Sequence, residues 1–158
     1  MSEILEKIIK EKISADHLMY VSMKYTKTCD VIINLIKRWK IMMDFAFEGL
    51  LEKAKKAKKI KKIPTAPKLK IDAIKEIFKK EPEVMDAVNE YEMFKLIDIL
   101  KKTKAEEFRK GVCLTVLYKE REVRVDLDKL KEYVGVLERF INYTKLFLLQ
   151  KKNKEEKF

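Results

Sequence analysis

Ile4, Leu5, Ile8 and Ile9 recur at helical spacing among Glu3, Glu6, Lys7 and Lys10, which predicts a short amphipathic helix over 3–12. Ser14 then offers an N-cap for a longer helix. Along it Leu18, Tyr25, Ile32 and Trp39 fall seven apart, and so do Cys29, Ile36, Met43 and Leu50. Two interleaved heptad series make the apolar seam of a packed antiparallel bundle. Val31, Ile33, Ile41, Phe45 and Phe47 widen that seam, so this helix is expected to lie centrally with neighbours on more than one side. Thr26, Thr28 and Asp30 leave open whether 15–58 is one helix or two.

Past Leu51 the helical pattern fades into lysines. Pro64 and Pro67 are expected to end it and impose an extended connection. Ile71, Ile74, Ile77 and Phe78 predict a short helix over Asp72–Lys79. Pro82, tolerated in a first turn, opens the next, which carries Val84, Val88, Tyr91, Phe94 and Leu100 and extends toward Glu107. The period then changes from helical to alternating. Val112, Leu114, Val116 and Tyr118 alternate with Cys113, Thr115 and Leu117, and Val123 and Val125 follow after Lys119–Glu122. That reads as a β-hairpin over about 112–125 with a four-residue turn. Asp126 or Asp128 caps a last helix, and the polar tail 151–158 is expected to fray. The predicted fold is a single, mainly α domain: an antiparallel helical bundle with one small β-hairpin before the C-terminal helix.

Composition agrees with that picture. A chain of 158 residues suits one domain with a full core, and three glycines and three prolines leave long helices uninterrupted. One glutamine and four asparagines beside abundant Lys and Glu give a thermophile-like balance. Charged residues interrupt every apolar stretch: Lys37, Arg38, Lys40, Asp44 and Glu48 lie within 31–51. No membrane span and no signal peptide is expected, so the chain reads as cytoplasmic. Cys29 and Cys113 sit among apolar neighbours and read as buried, reduced thiols.

The net charge is +11, and its distribution is uneven. Lys53, Lys55, Lys56, Lys58, Lys59, Lys61, Lys62, Lys68 and Lys70 fall within eighteen residues that contain no carboxylate. They supply nine of the eleven charges, and the remaining 28 basic and 26 acidic groups nearly balance. Such clustering makes a local positive field and points to phosphate. The alternatives are a solvated helix end and loop that keeps the protein soluble and an anionic membrane surface. The run holds no arginine for bidentate base reading and no aromatic residue for stacking, so its expected partner is nucleic acid held without sequence preference. Lys119, Arg121 and Arg124 form a smaller basic group, interrupted by Glu120 and Glu122 and read as an exposed turn.

Catalytic chemistry finds little support. His17 is the only histidine, the cysteines are far apart, and Gly49, Gly111 and Gly135 are isolated, so neither a metal site nor a phosphate loop is predicted. Glu106–Glu107 and Asp126–Asp128 read as helix-end residues. No cofactor is expected.

The stretch DFAFEGLLEKAKKAKKIKKIPTAPKLKIDAIKEIF, followed by a long helix and then KAEEFRKG, resembles the HEPN superfamily. Phe47–Leu51 stand where that family has an ALL-like segment, and Ile71–Phe78 where it has a short helix. The resemblance spans about residues 15–110. It implies a helical bundle, frequent dimerisation, and RNA cleavage or a place in toxin–antitoxin and RNA-processing systems. The family's ribonuclease motif is an arginine followed within several residues by a histidine. Here the first arginine, Arg38, follows the single histidine, so the resemblance implies a non-catalytic member. The function expected is non-enzymatic binding of nucleic acid, RNA ahead of DNA. The alternative is an assembly module that forms a homodimer or holds a protein partner.

Overall fold

Cys29, Ile36, Met43 and Leu50 are all fully buried, and the helix that carries them organises everything else. The computed structural model describes residues 2–150; the expected fraying of 151–158 lies outside the described residues. The chain runs α1 (Ser2–His17), a π-helical turn (Leu18–Ser22), α2 (Met23–Tyr25), α3 (Cys29–Lys56), α4 (Pro67–Ile77) and α5 (Pro82–Phe94). It continues through β1 (Lys102–Ala105), β2 (Cys113–Tyr118) and β3 (Arg121–Val125) to α6 (Leu127–Leu149). The fold is mainly α, with a small antiparallel sheet ahead of the C-terminal helix. No described helix is long and apolar enough to cross a membrane.

α3 packs against α1, α4, α5, α6 and β2, the central position that its wide apolar face predicts. Trp39, 3 % exposed, stacks on Phe94 at 5.9 Å and meets the edge of Tyr133 at 6.1 Å. Phe47 bridges Tyr91, edge-on at 5.0 Å, and Phe140, tilted at 5.2 Å. Each such buried side chain contributes about 1.5–3 kcal/mol through removal from water.

Several boundaries differ from the sequence expectation. Ser14 caps nothing: α1 runs past it, because Ala15 continues the buried face and the Lys12–Asp16 pair, 2.8 Å, bridges the same turn. The division falls at Thr26–Thr28 instead. Thr28 is extended, and its hydroxyl accepts the Val31 amide at 3.3 Å, starting α3. Tyr25 therefore leaves the heptad seam and is 77 % exposed. Pro67 does not merely stop a helix; it is the first residue of α4, which begins five residues before Asp72.

α5 ends at Phe94, not near Glu107. Residues 102–105, expected to be helical, form a third strand that pairs Lys102 with Val116 and Ala105 with Cys113. The Lys102 ammonium also binds the carbonyls of Ile97 and Leu100, at 2.6 and 2.8 Å, which the intervening turns leave open. The hairpin is present but tighter than expected: Tyr118 pairs with Arg121, leaving the two-residue turn Lys119–Glu120. Both turn residues have positive φ, 51° and 63°, the pattern of a type I′ turn without its usual Asn or Gly. Asp126 caps α6, its carboxylate accepting the Lys129 amide at 2.8 Å.

Candidate nucleic-acid interface

The lysine run is built on a defined backbone. Ala54 is buried, so α3 holds its contact with the core while Lys53, Lys55 and Lys56 fill its last turn. Cations there oppose the negative end of the helix dipole. The helix closes on a Schellman motif: the Lys59 amide reaches the Ala54 carbonyl at 2.9 Å and the Lys58 amide the Lys55 carbonyl at 3.0 Å. Lys58 takes the left-handed position, φ 61°, where glycine is usual. Ile60 and Ile63 then pack onto the core, pinning the segment that carries Lys59, Lys61 and Lys62. Lys68 and Lys70 follow on the first turns of α4.

The nine side chains are not equivalent. Lys53 donates to the Gln150 carbonyl at the end of α6, and the Lys59 ammonium lies 5.5 Å from the Phe147 ring centre. Lys70 pairs with Glu48 at 3.0 Å. Lys55, Lys56, Lys58, Lys61, Lys62 and Lys68 are exposed and pair with no carboxylate among the described residues. Six ammonium groups thus stand toward water around one end of the bundle, from the α3 terminus to the start of α4.

Lys70 leads to a feature that the sequence reading missed. A cavity of about 260 Å³ opens between α3, α4 and α5, lined by Lys40, Asp44, Phe47, Glu48, Pro67, Lys70, Ile71 and Tyr91. Asp44 pairs with Lys40 at 2.7 Å and accepts the Tyr91 hydroxyl at 2.6 Å. Burial, then that carboxylate, pushes the Tyr91 phenol well above its ordinary range. Both carboxylates of the cavity are paired with a lysine, Asp44 with Lys40 and Glu48 with Lys70. In the sequence Asp44 and Glu48 register only as charges that interrupt an apolar helix; Lys40 is one turn from Asp44, but Tyr91 and Lys70, which complete the cavity, lie 47 and 22 positions from their partners.

The other candidates lie apart. His17 is exposed at the end of α1. Cys29 and Cys113 are free and buried, and the Cys29 thiol donates to the Cys113 carbonyl at 3.3 Å. Burial, and secondarily the Glu107 carboxylate, raises the Cys29 thiol to about 11, which keeps it protonated and unreactive at neutral pH. No group of three His, Cys, Asp or Glu among the described residues could hold a metal ion. Lys119, Arg121 and Arg124 are exposed around the hairpin, with Lys119 5.2 Å above the Tyr118 ring. No protein-family model matches the chain, and no curated protein or solved structure matches it.

Proposed function

We propose that this chain is a non-enzymatic cytoplasmic protein that holds nucleic acid by its phosphates, RNA ahead of DNA, along the surface from Lys53 to Lys70. One observation carries the reading. Six exposed lysines without described carboxylate partners are fixed by a Schellman cap, two anchoring isoleucines and a proline-initiated helix. An ordered array of cations loses less freedom on meeting a polyanion than a loose tail does. Lysines act as point charges, so grip without base selectivity follows. A HEPN-like, non-catalytic relationship over 15–110 stays part of this reading on the long α3 followed by the short α4, although α5, 13 residues, is shorter than the long helix that the resemblance implies.

Reversal of Lys53, Lys55, Lys56, Lys58, Lys59, Lys61 and Lys62 to Glu tests the reading by gel shift at moderate salt. Loss of RNA retention is expected; unchanged retention refutes it. With six phosphates engaged on a duplex, binding falls with log salt at a slope of about −5.

A second reading, self-assembly, draws on Ile13, Tyr20 and Val21, which are exposed along the outer side of α1 and the π turn. Light scattering separates it: a monomer at all concentrations removes it.

A further inference from the structure

Several large apolar side chains stand in water, Ile99 and Leu146 among the aliphatic ones; Tyr25 and Phe108 are the most exposed of the aromatic ones. Tyr25 is 77 % exposed and Phe108 74 % exposed, so neither ring gains from burial. Phe108 also has φ 67°, a backbone conformation that a bulky side chain rarely takes and that glycine or asparagine fills with less strain. Folding physics favours a polar residue at 25 and a small one at 108. Residues kept against both preferences mark sites with another role.

The two rings belong to one end of the molecule. The Phe108 amide donates to the Lys27 carbonyl at 2.6 Å, tying the 106–111 loop to the segment that follows Tyr25. Irregular backbone converges there as well. The π turn Leu18–Ser22 ends three residues before Tyr25, Thr26–Thr28 interrupt the helix, and Glu106 shares the left-handed conformation, φ 56°. Cations surround the rings. The Lys24 ammonium lies 5.7 Å from the Tyr25 ring centre, Lys27 donates to the Lys24 carbonyl, and Arg109 and Lys110 follow Phe108 in the chain. The neighbouring carboxylates are occupied: Glu107 accepts the Cys29 amide, Asp30 pairs with Lys104, and Glu106 lies 3.5 Å from Arg109.

We propose that this end is a stacking site for unpaired bases of a single-stranded nucleic acid, with Tyr25 and Phe108 as platforms and Lys27 and Lys110 meeting the flanking phosphates. Exposed π faces interleaved with cations fit bases on a charged backbone; a purely apolar partner leaves those cations desolvated without a counter-charge. The site rests on the phosphate-binding reading for its class of ligand, but on none of the same residues. α3 separates the two regions: its 28 residues span about 42 Å at 1.5 Å each. A strand touching both needs roughly a dozen nucleotides at 3.4 Å spacing, whereas a hexamer reaches only one.

Fluorescence anisotropy with a labelled single-stranded hexamer, a single-stranded 20-mer and a 20-base-pair duplex RNA tests the proposal. The full chain is compared with Y25A/F108A, Y25F/F108Y and the seven-lysine reversal. Because both rings are exposed, the alanine variant is expected to fold, with circular dichroism as the check. Y25A/F108A should weaken both single strands about 10- to 100-fold and leave the duplex unchanged, while Y25F/F108Y, which keeps the rings, restores wild-type binding. Unchanged single-strand binding by Y25A/F108A overturns the stacking site. So does an alanine variant that turns a dimer into a monomer without altering RNA binding, since the face is then a protein contact. Hexamer binding that survives lysine reversal but not Y25A/F108A supports stacking. Should the reversal variant also keep the duplex, the lysine reading fails alone. Retention of no RNA by the wild type removes both.

Discussion

The amide of Cys29, first residue of α3, donates to the carboxylate of Glu107, 3.2 and 3.4 Å from its two oxygens and 78 positions away in sequence. Thr28 satisfies the Val31 amide, so two side chains from different parts of the chain cap one helix. The central helix thus receives its start from the loop that joins β1 to β2. Glu107→Ala should cost about 1–2 kcal/mol, the range for losing a helix cap with a charged acceptor, and Glu107→Gln less. Urea midpoints read this directly. Equal stability for Glu107→Ala and the wild type removes the capping role.

At the other end of α3, Lys58 holds the left-handed position of the Schellman motif. A residue with a Cβ pays roughly 1–2 kcal/mol there, and glycine offsets part of the relief through its unfolded-state entropy, roughly 0.5–1 kcal/mol. Lys58→Gly should therefore stabilise by about 0.5–1 kcal/mol and raise Tm by about 1–4 °C in a chain of this size. It also deletes one exposed cation. If Lys58 touches phosphate, the log-salt slope of duplex binding shrinks by about 0.9. Greater thermal stability with an undiminished slope places Lys58 outside the interface.

Much of the helical frame was legible because its signals are local. Cys29, Ile36, Met43 and Leu50 declare α3's buried face, Pro82 its neighbour's start, and the pair Asp126 and Asp128 the cap of α6, which Asp126 supplies. The errors came from long-range terms. Lys102–Ala105 has a polar, unremarkable sequence, and only pairing with β2 makes it a strand. The sequence leaves the helix division open at Thr26, Thr28 and Asp30, and the distant Glu107 contact with the Cys29 amide accompanies the break; the Asp44–Tyr91 contact likewise joins α3 to α5. The lysine cluster was visible as composition, but not which members are occupied. Lys53, Lys59 and Lys70 find partners on α6 and α3 that no spacing reveals. Tyr25 fits the heptad in sequence and leaves it in space: the π turn Leu18–Ser22 shifts the register ahead of it, and Met23 is the buried residue of α2.

The tight turn offers a further test. Lys119 and Glu120 occupy positions where type I′ geometry favours Asn-Gly, which is why the sequence suggested a longer loop. Replacing the pair with Asn-Gly should stabilise the hairpin by about 1 kcal/mol and slow amide exchange in β2 and β3. Register must stay Tyr118 opposite Arg121; a shifted register by NMR contradicts the assigned turn.

Alkaline pH should unfold this protein through its buried weak acids. Burial first, then Glu107, raises the Cys29 thiol from 9.0 to about 11. Burial likewise raises Tyr133 and Tyr91, with Glu90 and Asp44 as the respective second causes, and lifts Tyr143 to about 12. Each group keeps its proton in the folded chain after the unfolded chain has released it. Over that interval the unfolded state binds fewer protons, so stability falls as pH rises. The contribution is complete below pH 9, where both states are protonated, and the Cys29 share is lost between pH 9 and about 11. The tyrosines extend the fall from about pH 10 upward. Urea midpoints measured across pH 7 to 11 should therefore begin to drop near pH 9. In Cys29→Ala the baseline is lower, because a buried thiol is lost, but the drop begins only near pH 10. A midpoint that stays level or rises between pH 9 and 11 contradicts the assignment. An unchanged onset in Cys29→Ala moves the first titration away from that thiol.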